Sequence, residues 1–347
     1  EIFEKNRSKA GIRGTWQARI RFNDVHIPKE NLLHKEGRGL NVALSCLNYG
    51  RCTLSAGVTG AAKAAVDQGI KWAQTRYQFK RPISDFELVR QKIARMSALV
   101  YAMDSMLYMM TGMLDRGDKD IMVETAITKV FCSHYGWEVI DEVMEIMGGE
   151  GYMAEHELER SWRDNRIHAI VEGSNEVMQS FIFAYGGKKL AEQMVSVQDA
   201  LTWDTDEGLS DNLSRILTAA TNPTVMSKAL PLAGQLFLGI KPQAPEVRSV
   251  HPALRSQAET VSELIQKHSH YFKMASKWER EKIVEHQAQQ ARVADNAIYL
   301  YAMITSLSKM DDQLRTGEYG PAFERDRAAF EYLFDWFENK IHENFGQ

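Results

Sequence analysis

Three long stretches of helical apolar periodicity limit this 347-residue chain to a mostly α-helical architecture. They cover residues 40–76, 85–115 and 118–147, and a fourth stretch runs from about residue 174 to residue 194. The breaks between them contain glycine, proline or charged residues, which is typical of helix ends. Four long helices with short connections predict an antiparallel helical bundle.

Residues 1–35 show a different pattern. Between Thr15 and Phe22 apolar and polar residues alternate as in a half-buried strand, and the pattern continues through residues 25–27 until Pro28 ends it. One or two strands do not form a stable sheet alone. We therefore expect residues 1–35 to be the end of a β-domain, and the chain to be a piece of a longer protein.

The second half of the chain is predicted to be helical as well. Residues 196–222 are polar and rich in turn-forming residues, which predicts a linker. Helical patterns then follow at about residues 223–239, 251–272, 275–309 and 321–345. The predicted domains are the end of a β-domain (1–35), a helical bundle (36–195), the linker (196–222) and a second helical domain (223–347).

The composition excludes several classes of function. The net charge is only −4 and no long basic tract occurs, which argues against nucleic-acid binding. Three cysteines without a Cys-x-x-Cys spacing are expected to be reduced thiols in an intracellular compartment. No apolar run is long enough to predict a membrane-spanning helix. No histidine has a glutamate three residues before it, so the di-iron site common in helical bundles is not expected.

The candidate functional residues lie between residues 146 and 176. Gly148, Gly149 and Gly151 follow a predicted helix and not a strand, so a helix C-cap with a tight turn is their simplest interpretation. The Arg-Asp-Asn-Arg segment 163–166 is compatible with a surface ion-pair network.

Glu172 has two interpretations. It lies between Val171 and Gly173, just before Ser174, which has the type and position of a helix N-cap. Apolar neighbours remove water from a carboxylate, and this makes it a better general base. A glutamate near the start of a helix is also common because it interacts favourably with the helix dipole. The residues alone leave both interpretations open.

Five motifs, taken in order, resemble motifs of the acyl-CoA dehydrogenase family, of the very-long-chain type. They are residues 25–33, Leu47-Asn48-Tyr49-Gly50-Arg51, Arg76-Tyr77-Gln78-Phe79, Glu145-Ile146-Met147-Gly148-Gly149-Glu150-Gly151-Tyr152 and Glu172-Gly173-Ser174-Asn175. Residues 292–308 resemble the C-terminal extension of that type. The resemblance implies the C-terminal four-helix bundle of the family, preceded by the last strands of its β-domain and followed by a second helical domain.

The resemblance also implies an activity. This is FAD-dependent α,β-dehydrogenation of long-chain fatty acyl-CoA to trans-2-enoyl-CoA, with electrons passed to an electron-transfer flavoprotein. Glu172 corresponds to the base that removes the α-proton. The implied substrate contacts are Asn48, Arg51 and Gly173, where the glycine leaves room for the acyl chain. The implied FAD contacts are Arg76, Gln78, Phe79, Glu145, Ile146, Met147, Gly148, Gly149, Ser174, Asn175 and Glu176, and the glycine turn among them holds the dinucleotide of the neighbouring subunit.

The chain departs from the family pattern at several of these positions. Lys80 stands where a glycine is common, and Glu87, Arg90 and Glu145 replace glutamines. Glu145 is expected to repel a flavin phosphate unless Lys80, Arg81 or Arg90 offsets its charge. Two alternative functions therefore stand beside the dehydrogenase: a non-catalytic scaffold or assembly factor of the same fold, and an acyl-CoA oxidase.

The resemblance further implies a homodimer. The implied location is the cytoplasm or the inner membrane in a bacterium, and the mitochondrion in a eukaryote. Segments 225–240 and 284–307 are apolar enough for peripheral membrane association, and packing on the bundle or in a dimer interface is the alternative.

Overall fold

The computed structural model describes residues 1–4, 7–118, 120–188, 190–192, 214, 218, 221–279, 282–283, 285–317 and 319–346. The chain divides into two compact units. The first combines Glu1–Met178 with Tyr301–Phe337, and the second combines Gln179–Leu300 with Glu338–Gln347. Most of the predicted linker lies outside the described residues, and the predicted domain boundaries stay a prediction.

Three long helices form the centre of the first unit, as predicted. They are α1 (Gly39–Thr75), α2 (Glu87–Asp115) and α3 (Met122–Met147). Thr59 lies against Cys132 and Gly69 against Val143, so α1 and α3 run parallel. Lys92 pairs with Glu142 and Arg95 with Glu138, so α2 runs antiparallel to α3. The end of α1, the start of α2 and the end of α3 therefore meet at one end of the bundle.

Helix α3 is the most deeply buried of the three. All its residues from Thr125 to Ser133 are buried, including Lys129. A Cβ atom at Gly136 would clash with Val58, so the glycine lets α1 and α3 approach closely. This close packing places side chains of α1 and α3 against the segment that follows α3.

That segment returns along the bundle in short elements. They are α4 (Gly149–Tyr152), α5 (Glu157–Asn165) and a 3-10 turn at Arg166–Ala169, and α6 (Asn175–Gly186) follows. Trp162 donates a hydrogen bond to Asp141, which holds α5 on α3. The sequence did not predict α5, because its nine residues are too few to show a clear apolar period.

The strands are short. β1 (Ile2–Phe3) pairs antiparallel with β2 (Arg19–Ile20), and β3 (Tyr77–Gln78) pairs with β4 (Arg81–Pro82) in a hairpin. The strand predicted between Thr15 and Phe22 is therefore reduced to two residues, and residues 25–27 form no strand. Extended backbone becomes a strand only where a partner strand supplies hydrogen bonds, which the alternating pattern does not reveal.

Helices also dominate the second half of the chain, as predicted. They are α7 (Pro223–Phe237), α8 (Arg255–Glu279), α9 (Gln287–Thr316) and α10 (Pro321–Gly346). The predicted break near residues 273–274 was wrong, because α8 continues through it to Glu279. No proline or glycine lies there to end a helix. In the described part of the chain no helix has the length and apolar character needed to cross a membrane.

Candidate active site

Glu172 lies in a tight loop between the 3-10 turn and α6. The N–H groups of Ile170 and Val171 both donate to the Ile167 carbonyl and close the loop. Glu172 then adopts φ 59° and Gly173 φ 91°. A left-handed conformation costs a non-glycine residue roughly 1–2 kcal/mol. Such strain persists where surrounding contacts enforce it, which is common in functional loops.

The Glu172 carboxylate lies directly against Gly50 of α1. A Cβ atom at Gly50 would be 2.9 Å from Oε1 and 3.0 Å from Oε2 of Glu172. Oε2 is buried and has no hydrogen-bond partner among the described residues. The carboxylate therefore points toward α1 and is partly removed from water, as the hypothesis of a catalytic base requires.

Arg51 holds the backbone of the same loop. Its Nε donates to the Glu172 carbonyl over 3.2 Å, and its Nη1 donates to Asn48 Oδ1 over 3.4 Å. Burial lowers the pKa of the Arg51 guanidinium, and the charge of Glu172 opposes that shift. The structure thus brings Asn48, Arg51 and Glu172 together, with Arg51 bound to the loop. The substrate contacts predicted for Asn48 and Arg51 stay predictions.

The conformation of the loop requires a glycine at position 173. Its φ of 91° favours glycine, and a Cβ atom would be 2.6 Å from Met178 Cε. The space beside Gly173, which was expected to admit an acyl chain, is occupied by the Met178 side chain in this structure. Ser174 caps α6, since its Oγ accepts from the Val177 N–H over 3.4 Å, as its residue type predicted.

Lys129 is the residue of this site that the sequence analysis missed. Its Nζ donates to the Gly173 carbonyl over 2.6 Å and to Asn175 Oδ1 over 2.9 Å. Ser133 also donates to Asn175 Oδ1, over 3.0 Å. The one available signal was a single charge in the otherwise uncharged stretch 125–133, which does not reveal a partner 44 residues away.

The predicted flavin-contacting residues Arg76, Gln78 and Phe79 lie at the opposite end of α1. The β3–β4 hairpin turns through Phe79 at φ 51° and Lys80 at φ 66°. Arg76, Lys80 and the Phe79 ring are exposed, with Phe79 86% accessible. Exposed cations and an exposed ring at a tight turn fit a phosphorylated aromatic cofactor.

The predicted glycine turn lies at this same end. Gly148 ends α3 with φ 62° and ψ −139°, a conformation essentially restricted to glycine. The side chains of Ile146 and Met147 are buried, so only their backbone is available to a ligand. Glu145 pairs with Lys92 of α2 over 2.5 Å. Lys92 also pairs with Glu142, so it offsets the Glu145 charge only in part, and none of Lys80, Arg81 and Arg90 pairs with Glu145 in the described contacts.

The two groups of predicted site residues are far apart. Arg51 and Arg76 are separated along the single helix α1, which rises about 1.5 Å per residue, so roughly 37 Å lies between them. Ser174, Asn175 and the exposed Glu176 lie with Glu172, away from the hairpin and the glycine turn. We call the two regions the glutamate end (residues 48–51, 125–133 and 170–176) and the hairpin end (residues 76–82 and 145–149).

Other ligand types find less support in the described residues. They contain no group of three or more His, Cys, Asp or Glu side chains that could hold a metal ion. Cys46, Cys52 and Cys132 are free thiols, as predicted. In the segment 163–166, Arg163 pairs with Glu159 over 2.5 Å and Asp164 accepts from the Ile12 N–H over 2.6 Å. The segment therefore contributes one ion pair of the expected kind, and its Asp164 binds the backbone instead.

Residues 37–185 match the family described as "Acyl-CoA dehydrogenase, C-terminal domain". The chain is 32% identical over 313 residues to the very long-chain specific acyl-CoA dehydrogenase of Mus musculus, which corresponds to 89% of the chain. The match covers 45% of that relative, so the chain spans somewhat less than half of the curated protein it matches.

Two solved structures are similar in fold. The acyl-CoA dehydrogenase of Bacillus anthracis, complexed with FAD, matches 99% of this chain and 55% of its own, with a TM-score of 0.76 and 25% identity. The butyryl-CoA dehydrogenase of Megasphaera elsdenii matches 55% of this chain and 48% of its own, with a TM-score of 0.51 and 32% identity.

Proposed function

The chain carries an acyl-CoA dehydrogenase C-terminal domain and is homologous to very-long-chain acyl-CoA dehydrogenases over most of its length, and we propose that it forms the base-bearing part of such an enzyme. The complete protein converts long-chain fatty acyl-CoA to trans-2-enoyl-CoA, with Glu172 as the base. FAD is its cofactor, and an electron-transfer flavoprotein is the electron acceptor.

The orientation of Glu172 carries this proposal. The α-proton of a thioester is weakly acidic, so its removal requires a base that is close, oriented and poorly hydrated. Glu172 Oε2 is buried without a hydrogen-bond partner in the described part of the chain. A carboxylate used only to pair with the dipole of α6 would be hydrated or bound to N–H groups. An unsatisfied oxygen instead leaves a lone pair for the substrate proton.

The residues of the hairpin end are suited to hold the cofactor. Arg76 presents a permanently charged guanidinium for a pyrophosphate, and the backbone of Gly148 and Gly149 permits close approach. Lys92 lies between Glu145 and Glu142 and reduces the like-charge repulsion that the sequence position of Glu145 suggests. FAD held there would supply the acceptor for the hydride that leaves the substrate β-carbon. Glu172 accepts the α-proton.

The separation of the two ends supports a dimeric enzyme. Roughly 37 Å along α1 lies between the loop of Glu172 and the hairpin, too far for one reacting centre to contact both. We propose that the hairpin end of one copy holds the cofactor that works with Glu172 of a second copy. A two-fold homodimer then contains two such composite sites.

Replacing Glu172 by Gln in the complete protein tests the function. Gln keeps the size and removes the proton acceptor, so turnover of palmitoyl-CoA should fall about 10²–10⁴-fold while FAD stays bound. Glu157→Gln is the matched control, because Glu157 is exposed on α5 and is expected to leave turnover unchanged. Normal turnover by the Glu172→Gln protein would assign the base to another residue.

The alternative functions give different results in the same assay. A scaffold or assembly factor would not bleach its flavin absorbance when palmitoyl-CoA is added. An acyl-CoA oxidase would bleach it and then release hydrogen peroxide in air. A dehydrogenase bleaches, releases little peroxide and reduces an electron-transfer flavoprotein.

We also propose that segment 225–240, which contains most of α7, contributes to peripheral membrane association. Leu230, Phe237, Leu238 and Ile240 are exposed, and Lys277 Nζ lies 5.2 Å from the Phe237 ring. Exposed apolar side chains beside a lysine suit an anionic membrane surface. The second apolar segment, residues 284–307, gives no such support, since Ile298, Leu300 and Met303 are buried.

Flotation of the complete protein with anionic liposomes should be lost in a Phe237→Ser, Leu238→Ser variant. Unchanged flotation would contradict the assignment to segment 225–240.

A further inference from the structure

We propose that Lys129 is a positioning residue that, together with Arg51, holds the Glu172 loop in its strained conformation. The inference rests on the proposed function of Glu172 as the base. The two cations come from different helices, Arg51 from α1 and Lys129 from α3. They bind consecutive carbonyl groups of the loop, and we call this arrangement the carbonyl clamp.

The geometry of the carbonyl clamp explains why the loop stays strained. Arg51 Nε donates to the Glu172 carbonyl over 3.2 Å, and Lys129 Nζ donates to the Gly173 carbonyl over 2.6 Å. Glu172 and Gly173 both have positive φ, and relaxation of either φ would rotate their carbonyl groups away from the two donors. Charge-assisted hydrogen bonds are about twice as strong as neutral ones, so two of them can offset the cost of a left-handed glutamate.

Lys129 also fixes the far side of the loop. Its second acceptor, Asn175 Oδ1, belongs to the first residue of α6 and is bound by Ser133 as well. The loop is thus held to α3 at two points on the C-terminal side of Glu172. The side chain of Lys129 is fully buried, so water does not compete for these bonds.

The charges around Lys129 make its protonation state responsive to pH. Burial and the nearby Arg51 lower the pKa of Lys129 to about 8, while Glu176 and Glu172 oppose that shift. The charge of Lys129 also acts on His168, and burial lowers the pKa of that imidazole. Lys129 therefore loses its charge above about pH 8, and its hydrogen bonds to the loop weaken.

A Lys129→Met variant of the complete protein tests the carbonyl clamp. Met fills similar space without a donor, so the Glu172 loop should loosen. Amide exchange at Val171 and Met178, whose N–H groups are hydrogen-bonded within the loop and at the start of α6, should become about tenfold faster. The kcat should fall about 10–100-fold with KM changed less than about threefold, because a misplaced base affects the chemical step.

Lys309→Met is the matched control. Lys309 is a part-buried lysine of the same compact unit that pairs with Asp104 over 2.7 Å, and it touches no residue of the glutamate end in the described contacts. Its loss should leave exchange at Val171 and kcat unchanged. Equal exchange at Val171 in wild-type and Lys129→Met proteins would overturn the inference, whatever the turnover.

A second measurement avoids any dependence on the folding of the variant. In the wild-type protein, the protection of Val171 and Met178 should fall between pH 7 and pH 9.5, after correction for intrinsic exchange, while Val58 in the core of α1 keeps its protection. Constant protection across this range would show that titration of Lys129 does not loosen the loop, and the Lys129→Met exchange measurement decides the clamp itself. The Glu172→Gln assay is independent of both readouts, so failure of the proposed function can be told apart from failure of the carbonyl clamp.

Discussion

Gly50 and Glu172 form the residue contact on which the candidate site depends most directly. Gly50 lies within α1, where alanine is favoured over glycine by up to about 1 kcal/mol. A methyl group there would displace the Glu172 carboxylate, which is the flexible end of a side chain. Gly50→Ala should therefore raise the melting temperature slightly and lower turnover about tenfold.

The control for this substitution lies in the same helix. A Cβ atom at Gly60 would meet nothing within 4 Å, so Gly60→Ala should give the same gain in stability without loss of turnover. Calorimetry and steady-state kinetics on both variants separate the two effects. A Gly50→Ala protein with full turnover would show that the carboxylate position is not critical.

Titration of Lys129 should make the free energy of unfolding depend on pH. Its pKa is about 8 in the folded protein and near the ordinary value of 10.5 in the unfolded chain. Between these values the unfolded chain holds the extra proton, so the free energy of unfolding should rise with pH from about 8 to about 10.5. Lys129→Met should reduce this slope, measured by urea denaturation at several pH values. An identical slope in the variant would place the pKa of Lys129 elsewhere.

Local sequence could predict only part of the candidate site. Glu172, Gly173 and Ser174 are adjacent in the chain, and their residue types alone indicate a loop that precedes a helix. Arg51, Lys129 and Lys92 act through partners 121, 44 and 53 residues away. Their roles follow from how α1, α2 and α3 pack, and no spacing in the sequence encodes that packing.

At the scale of elements, the β3–β4 hairpin carries backbone strain that can be measured. Its two-residue turn requires positive φ at both central positions, and Phe79 and Lys80 both lack the freedom of glycine. Lys80→Gly should stabilise the protein by about 0.5–1 kcal/mol in urea denaturation. Lys80→Ala keeps a Cβ atom and removes only the charge, so it should give no such gain. Equal stability of both variants would mean that the turn is not strained.

Long helices were predicted from the sequence more accurately than short helices and strands. Helices α1, α2 and α3 each repeat their apolar period over many turns, and their predicted bounds lie within four residues of those observed. Helix α5 and strands β1 to β4 are too short for a period to show. The break between α8 and α9 was misplaced because helix-forming residues continue through residues 273–275.

At the scale of the whole molecule, the composite sites proposed for the dimer can be tested by mixing subunits. Glu172→Gln damages one half of a composite site and Arg76→Ala damages the other half. In randomly mixed dimers, half of the dimers contain both variants, and each of these has one site free of both substitutions. Co-expressed variants should therefore recover about a quarter of wild-type turnover, although each variant alone is nearly inactive.

Two outcomes of this experiment are informative. Recovery near a quarter supports cofactor sharing between copies. Mixed samples no more active than the separate variants would mean that each copy holds its own complete site, in conflict with the separation of Arg51 and Arg76 along α1. Differently tagged Glu172→Gln chains, mixed with each other, control for effects of mixing.

The uninterrupted length of α1 has a consequence for how this protein can vary. Because one rigid rod joins the hairpin to the Glu172 loop, each inserted or deleted residue would shift one terminus by about 1.5 Å and rotate it by about 100° relative to the other. Single-residue insertions between Arg51 and Arg76 should therefore abolish activity even where substitutions at the same positions are harmless. Homologues are expected to differ in the sequence of α1 while keeping the number of residues between Arg51 and Arg76 constant.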